Sequence, residues 1–138
     1  MEKSLPDSGN RTQYIKDGGS RDRPDGKGRF DLLPGYPLLR LARHFENGAN
    51  KYSPRNWEKG LPLDNYIDSL GRHFAAMLSG DDTEDHAAAI MWNIACFMWT
   101  EQQILLGNLP TDLCRDWPHK LQLGVPEISQ TNMSKIND

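Results

Sequence analysis

The feature that most constrains the fold is a nearly unbroken apolar run from Ala87 to Trp99, which Asn93 interrupts. Its 13 residues are fewer than the roughly 20 that a membrane-spanning helix needs. A helix that is apolar nearly all round has to be buried, so the run predicts a central helix in a bundle or in an oligomer interface. The net charge of −3 gives no sign of a nucleic-acid binder, and Met1 is not followed by the apolar core of a signal peptide. We therefore expect a cytoplasmic protein with no membrane contact and no direct binding of nucleic acid.

Two further segments place apolar residues at three- and four-residue steps, which is the spacing of an amphipathic helix. Pro54 ends the first of these segments, and Gly80 follows the second. The three predicted helices cover about 37–52, about 63–79, and Asp82 or Thr83 to about Leu106. No stretch alternates apolar and polar residues as a half-buried strand does. The sequence therefore predicts an all-α fold, a small bundle of three main helices.

Apolar residues are concentrated between residues 29 and 107, which predicts one all-α domain there. A flexible arm is expected at 1–28, where glycines and mixed charges dominate, and an extended tail at 108–138. A core of this size is marginal by itself, because small domains bury a low fraction of their surface. We therefore expect a homo-oligomer, either a dimer or a tetramer. The side chains predicted for its interface are Trp92, Met98 or Trp99.

Histidines, acids and cations are gathered in the 43 residues from His44 to His86. The group consists of His44, His73, His86, Glu46, Asp68, Asp85, Lys51, Arg55 and Arg72. Taken singly, each has an ordinary structural explanation, such as an ion pair between Asp68 and Arg72 four residues apart on one helix. Taken together, carboxylates that suit a hard divalent cation and basic side chains that neutralise phosphates indicate a site for phosphate chemistry.

Short motifs in a fixed order run through the same region. They are Gly28-Arg29-Phe30-Asp31-Leu32-Leu33-Pro34, Leu41-Ala42-Arg43-His44-Phe45-Glu46-x-Gly48-Ala49-x-Lys51-Tyr52, Arg55-Asn56-Trp57-x-x-Gly60, Asp68-Ser69-x-x-Arg72-His73 and Glu84-Asp85-His86-x-x-Ala89-x-x-Trp92-Asn93. This ordered set resembles the dATP/dGTP diphosphohydrolase N-terminal domain family of phages and prophages, over about residues 27–100. By its helical layout, that family is similar to the all-α, MazG-like nucleotide pyrophosphohydrolases. The resemblance implies hydrolysis of a nucleoside triphosphate, with the purine deoxynucleotides dATP and dGTP as substrates. The implied products are the monophosphate and pyrophosphate, and the implied cofactor is Mg²⁺ or Mn²⁺.

For a pyrophosphohydrolase of this kind, we expect particular residues to carry the reaction. The expected metal ligands are Glu46, Asp68 and Asp85. His73 or His86 is expected to orient or deprotonate the attacking water. The expected substrate contacts are Lys51, Arg55 and Arg72 with phosphates, and Asn56, Trp57 and Asn93 with the sugar or base.

The chain departs from the MazG-like pattern in its acids. Those enzymes typically carry Glu-Glu-x-x-Glu on one helix and Glu-x-x-Asp on the next. Here Asp68 is followed by Arg72 and His73, and Ala89 stands where the second acid of the later motif would fall. Two alternatives therefore stay open beside the pyrophosphohydrolase. One is a phosphohydrolase that releases phosphate or triphosphate, and the other is a non-catalytic nucleotide-binding or interaction module. The products, or nucleotide binding without turnover, would separate the three.

Overall fold

The structure is a computed structural model that describes residue 9 and the ranges 11–12, 16–22 and 26–115. The predicted tail from residue 116 onward lies outside the described residues. Three α-helices form the fold: α1 (Gly35–Lys51), α2 (Leu63–Leu78) and α3 (His86–Leu105). Short 3-10 helices lie at Phe30–Leu32, Asn56–Lys59 and Thr111–Cys114. Two antiparallel two-residue strands, β1 (Arg11–Thr12) and β2 (Arg21–Asp22), pair Arg11 with Asp22 and Thr12 with Arg21.

The architecture confirms the predicted all-α bundle of three main helices. The two short strands lie before the helical region and do not change the class. No helix among the described residues has the length and apolar character needed to cross a membrane.

The third helix begins at His86, three or four residues later than the sequence predicted. Residues Asp81 to Asp85 form a connection in which the Asp81 carboxylate accepts a hydrogen bond from the Thr83 N–H at 3.0 Å. Asp85 then caps α3, because its side chain accepts a hydrogen bond from the Ala88 N–H at 3.1 Å. An N-cap residue satisfies a backbone donor that has no partner within the helix, so the helix starts where that cap lies.

Helix α3 is the central element, as predicted, and packs along α2 and α1. The core consists of buried Leu63, Tyr66, Cys96, Ile104 and Cys114, with partly buried Phe45, Trp57, Trp92, Phe97, Leu109 and Leu113 around them. Tyr66 is 1% exposed, and its hydroxyl accepts the Leu61 N–H and is hydrogen-bonded to Thr100 Oγ1 at 3.3 Å. The polar tip of this core aromatic therefore has partners inside the bundle.

One face of α3 carries apolar side chains that are exposed in the described part of the chain. They include Ile94 and Met98, and Met98 is 59% exposed. Trp92 and Trp99 instead pack internally, Trp99 with its ring centroid 4.9 Å from that of Trp57. Of the three side chains predicted for an interface, Met98 is the most exposed within the described ranges.

The start of the predicted tail contributes to the core. Leu109 and Leu113 pack against the buried cluster, and Cys114 is buried. Gly60 lies beneath them with φ +77°, and a Cβ placed on it would lie 2.9 Å from Leu109 Cδ1. The loop before α2 can therefore meet the segment after α3 because residue 60 has no side chain.

Candidate metal centre at the start of the third helix

Two histidines from different helices face each other at one end of the bundle. His73 lies on α2, and His86 is the first residue of α3. Their Nδ1 atoms are 3.0 Å apart, and Glu84 Oε1 lies 3.6 Å from each of them. We call His73, Glu84 and His86 the histidine–glutamate cluster. It is the one group of three such metal-ligand donors found within the described ranges.

The connection between α2 and α3 produces this juxtaposition. The helix ends at Leu78, and Gly80 takes a left-handed φ of +75°, which reverses the chain direction at little cost for glycine. The Asp81 N–H donates to the Ala76 carbonyl, and the His86 N–H donates to the Glu84 carbonyl. Because the turn is short, His86, the first residue of α3, lies close to His73 on α2.

The three donors fit a divalent transition-metal ion. Ligand atoms about 3.0–3.6 Å apart are neighbours around one ion with bonds of about 2.1 Å. Two imidazole nitrogens and one carboxylate form a mixed nitrogen and oxygen donor set, which suits first-row transition ions. His86 is 6% exposed while Glu84 is exposed, so the cluster has a buried side and an open side. An open side leaves positions for substrate or water.

Asp81 approaches His86 from the side opposite the cluster. Asp81 Oδ2 lies 3.2 Å from His86 Nε2, and the Thr83 N–H is bonded to the other carboxylate oxygen. The Thr83 amide, together with the neighbouring His86, holds the pKa of Asp81 below its usual range. Asp81 is therefore an ionised acceptor beside a buried imidazole.

Asp85 is engaged by a cation from α1. Arg40 Nε donates to Asp85 Oδ2 at 2.8 Å, and a second guanidinium nitrogen donates to the other oxygen. The hydrogen bonds from Arg40 lower the pKa of Asp85 to about 2. This bidentate pair ties α1 to the first turn of α3, directly beside His86.

His44 of α1 completes the surroundings of the cluster. Burial lowers the pKa of His44, while the charges of Glu84 and Asp85 act in the opposite direction and His73 adds to the lowering. Its ring centroid lies 5.8 Å from that of Trp92. His44 is thus a third, mainly neutral imidazole within electrostatic reach of the cluster.

A family model described as "dATP/dGTP diphosphohydrolase, N-terminal" matches residues 17–107. The chain belongs to this family. Comparisons with curated proteins and with solved structures gave no match. The dATP/dGTP diphosphohydrolase match contains all three α-helices and the whole histidine–glutamate cluster. Its description names nucleotide hydrolysis as the family's activity.

Some of the residues predicted from the sequence to carry out the reaction lie close together in the structure. His73 and His86, selected as catalytic groups, are adjacent. The proposed ligands do not form a three-donor group with one another: Glu46 is exposed on α1, Asp68 is paired with Arg72, and Asp85 is paired with Arg40. Their assignment as metal ligands stays a prediction.

Glu84 was missed as a ligand by sequence reasoning. An acid near the start of a predicted helix is ordinarily explained by the helix dipole, which favours negative charge there. In the structure it precedes the helix, and its carboxylate faces both histidines. The available signal was the Glu84-Asp85-His86 string, which places a carboxylate two residues from a histidine.

The cations predicted to bind phosphates lie on exposed surfaces. Lys51 Nζ lies 5.2 Å from the centroid of the Tyr52 ring. Arg55 is paired with Glu58, and Arg72 is paired with Asp68. Arg72 is next to His73 in the chain, so of the three it is the one adjacent in sequence to the histidine–glutamate cluster.

The predicted sugar and base contacts are placed differently from one another. Asn56 begins the 3-10 helix before α2, and Trp57 packs edge-on against Phe45 with ring centroids 5.6 Å apart. Asn93 is 4% exposed, and its Nδ2 donates to the Ala89 carbonyl at 2.9 Å. Trp57 therefore packs inside the bundle, and Asn93 makes a hydrogen bond there. Their contact with substrate stays a prediction.

Proposed function

We propose that the chain hydrolyses purine deoxynucleoside triphosphates, dATP and dGTP, to the monophosphate and pyrophosphate with a divalent cation. The observation that supports this most directly is the histidine–glutamate cluster within the segment matched by the dATP/dGTP diphosphohydrolase family. In this proposal His73, Glu84 and His86 hold the cation. A bound cation would offset the negative charge of the phosphates.

Of the two cations that the sequence led us to expect, Mn²⁺ suits this cluster better than Mg²⁺. Mg²⁺ takes oxygen ligands almost exclusively and keeps much of its water. Two of the three donors here are imidazole nitrogens, which first-row transition ions accept more readily. We therefore expect higher activity with Mn²⁺ than with Mg²⁺ at equal concentration, measured as the initial rate of pyrophosphate release from dATP. Equal or higher rates with Mg²⁺ would contradict this donor-set argument.

Two neighbouring side chains complete the proposed mechanism. His44 is kept mainly neutral by burial, so its imidazole can accept a proton from the attacking water near pH 7. Arg72 is exposed beside His73 and can exchange Asp68 for a phosphate oxygen, because a surface ion pair is weak. The resulting site would bind phosphates from the open side of the cluster.

The test is product analysis on the full chain. Purified protein is incubated with each deoxynucleotide in Mn²⁺ or Mg²⁺, and the products are separated by ion-exchange chromatography. Glu84→Gln keeps the size of an exposed side chain and removes one anionic ligand, so we expect kcat/KM to fall by about 100-fold or more. Asp82→Asn is the matched control, since it removes one exposed carboxylate from the same connection without touching the cluster.

Each other result has a definite meaning. Release of phosphate or tripolyphosphate would indicate the phosphohydrolase alternative. Nucleotide binding without turnover in either cation would indicate the non-catalytic module. Full activity of Glu84→Gln would contradict the assignment of Glu84 as a ligand. Loss of activity in Glu46→Gln and Asp68→Asn would instead support the acids that were predicted as metal ligands from the sequence.

We place this activity in a reducing cytoplasm, as the sequence led us to expect. The two cysteines, Cys96 and Cys114, are free and buried, which is usual for proteins of a reducing compartment. Cell fractionation with an antibody against the chain would test the location.

A further inference from the structure

His86 has an unusual buried nitrogen. The residue is 6% exposed, and its Nε2 makes no hydrogen bond within the part of the chain that the structure describes. Asp81 Oδ2 nevertheless lies only 3.2 Å from that atom. A buried ring nitrogen without a hydrogen bond lowers the stability of the fold. Its lack of a partner therefore needs an explanation when a carboxylate that could accept a hydrogen bond is so close.

The other ring nitrogen of His86 supplies that explanation. Nδ1 faces His73 Nδ1 and Glu84 Oε1, so it is the atom directed into the histidine–glutamate cluster. A neutral imidazole that gives Nδ1 to a cation carries its proton on Nε2. That proton needs an acceptor, and Asp81 Oδ2 is within reach of it. Histidine ligands of metal ions regularly donate their second ring N–H to a carboxylate in this way.

The Asp81 carboxylate is itself held in place. Its other oxygen accepts the Thr83 N–H at 3.0 Å, and its own backbone N–H donates to the Ala76 carbonyl at 3.1 Å. One oxygen is thus fixed by the turn while the second is left for His86. An acceptor anchored to the backbone holds the imidazole orientation better than a free side chain would.

We propose that Asp81 is a positioning residue, whose carboxylate accepts a hydrogen bond from the His86 Nε2–H and so keeps His86 Nδ1 available to a divalent cation. This inference rests on the cation site of the proposed function. It adds a residue that touches neither the cation nor the nucleotide. A purely structural Asp81 would stabilise the turn through Thr83 and leave cation affinity unchanged.

The experiment measures binding of Mn²⁺ alone to the full, metal-free chain, with the electron paramagnetic resonance signal of free Mn²⁺ as the readout. Asp81→Asn keeps an oxygen for the Thr83 N–H and removes the anionic acceptor beside His86. We expect the Kd for Mn²⁺ to rise by about 10- to 100-fold, the usual effect of removing such an acceptor. Asp82→Asn changes the net charge equally at the next, exposed residue and should leave the Kd unchanged.

A second variant guards against misfolding. Asp81→Ser also keeps an oxygen for the Thr83 amide and lacks the carboxylate, so it should weaken binding as the Asn variant does. Far-UV circular dichroism and urea unfolding confirm that each variant is folded.

The outcomes separate this inference from the proposed function. Unchanged Mn²⁺ affinity in folded Asp81 variants would overturn the role of Asp81 and leave the cation site standing. Equal weakening by Asp82→Asn would also overturn it, because the effect would then be one of net charge. A wild-type chain that binds no Mn²⁺ would overturn both. Tight Mn²⁺ binding with the expected Asp81 effect, but no nucleotide hydrolysis, would refute the proposed reaction alone.

Discussion

Asp85 already has partners for both carboxylate oxygens. It accepts two hydrogen bonds from Arg40 and one from the Ala88 N–H at the start of α3. Helix capping and a bidentate ion pair account for its place in the fold without a cation. Its neighbour Glu84 faces the histidines instead and has no comparable anchor among the described residues.

Two substitutions of Asp85 should therefore differ in stability. Asp85→Ala removes the cap and should lower the free energy of unfolding by about 1 kcal/mol, the usual value for such a loss. Asp85→Asn keeps the cap, because asparagine caps helices about as well as aspartate. Both variants lose the charge that pairs with Arg40, an exposed ion pair worth about 0–1 kcal/mol, so the Asn variant should be the more stable of the two. Urea unfolding of both variants measures the difference.

Binding of Mn²⁺ to Asp85→Asn tests the ligand assignment made from sequence. We expect the affinity to stay close to that of the wild type, since the carboxylate is occupied by Arg40. Loss of Mn²⁺ binding in a stable Asp85→Asn protein would restore Asp85 as a metal ligand.

Burial of the Cys96 thiol should make the free energy of unfolding decrease at alkaline pH. The residue is 1% exposed in the core, and burial raises its pKa to about 12 from the ordinary 9.0. Above pH 9 the unfolded chain loses this proton and the folded chain retains it, so stability falls as pH rises towards 12. The slope from this one group approaches at most about 1.4 kcal/mol per pH unit.

The measurement compares the wild type with Cys96→Ala. At pH 7 the variant should be less stable by about 1 kcal/mol, because a small cavity replaces the sulfur. This deficit should shrink above pH 9 and change sign before pH 10.5 in urea unfolding curves, because the slope of up to about 1.4 kcal/mol per pH unit acts on the wild type alone. Parallel stability curves over that range would show that burial of Cys96 does not affect its titration.

At the scale of elements, the contact between the α1–α2 loop and the 3-10 helix after α3 depends on one glycine. Gly60 has a left-handed φ, and a Cβ there would come within 3.1 Å of Leu113 Cδ1 as well as closer to Leu109. Gly60→Ala should destabilise the protein by more than the ~1 kcal/mol that left-handed backbone alone costs an L-residue.

Gly107→Ala is the control for backbone strain. Gly107 also has a left-handed φ, +78°, but a Cβ on it would meet no described residue within 4 Å. The difference in unfolding midpoint between the two variants therefore measures the packing part of the effect. Equal destabilisation would mean that the leucine side chains move aside without cost.

The helices were predictable because their signals are local. Three- and four-residue spacing, together with Pro54 and Gly80, located α1 and α2 to within two residues at each end. The position at which α3 starts does not depend on local sequence alone. Asp82, Thr83 and Asp85 are all good capping residues. In the folded chain Asp85 is the cap, and its carboxylate is also hydrogen-bonded to Arg40, which lies 45 residues away in the sequence.

The candidate site was predictable only in part for the same reason. The sequence selected His73 and His86 from their residue type, and the structure places them together. It could not supply the distance between them, which depends on the turn after α2. Glu84 and Asp81 lie in that turn, where no helical periodicity shows which way a side chain faces.

At the scale of the whole molecule, an apolar face of α3 that is exposed in the described part of the chain supports the oligomer expected from sequence. Ile94 and Met98 lie four residues apart on this side of the helix. A small bundle with a modest core gains stability when such a face is covered. We propose that a second copy of the chain covers it, since interfaces between identical chains are rich in apolar side chains.

Met98→Glu should convert that dimer into a monomer of 15.7 kDa without unfolding it, because the side chain is exposed in the single chain. Light scattering at micromolar concentration measures the mass, and circular dichroism confirms the fold. Asn47→Glu, on the polar side of α1, is the control and should leave the mass unchanged. A wild-type chain that is monomeric at this concentration would refute the proposal.

The contact of Leu109, Leu113 and Cys114 with the core has a consequence for protein synthesis. These residues leave the ribosome after all three helices, yet they cover side chains around Leu63 and Gly60. While α3 is emerging, part of the apolar surface of the nascent bundle has no cover, and such surface attracts other chains and chaperones. This contact joins residues about fifty positions apart in the sequence, so it cannot form before the later of the two segments has been made.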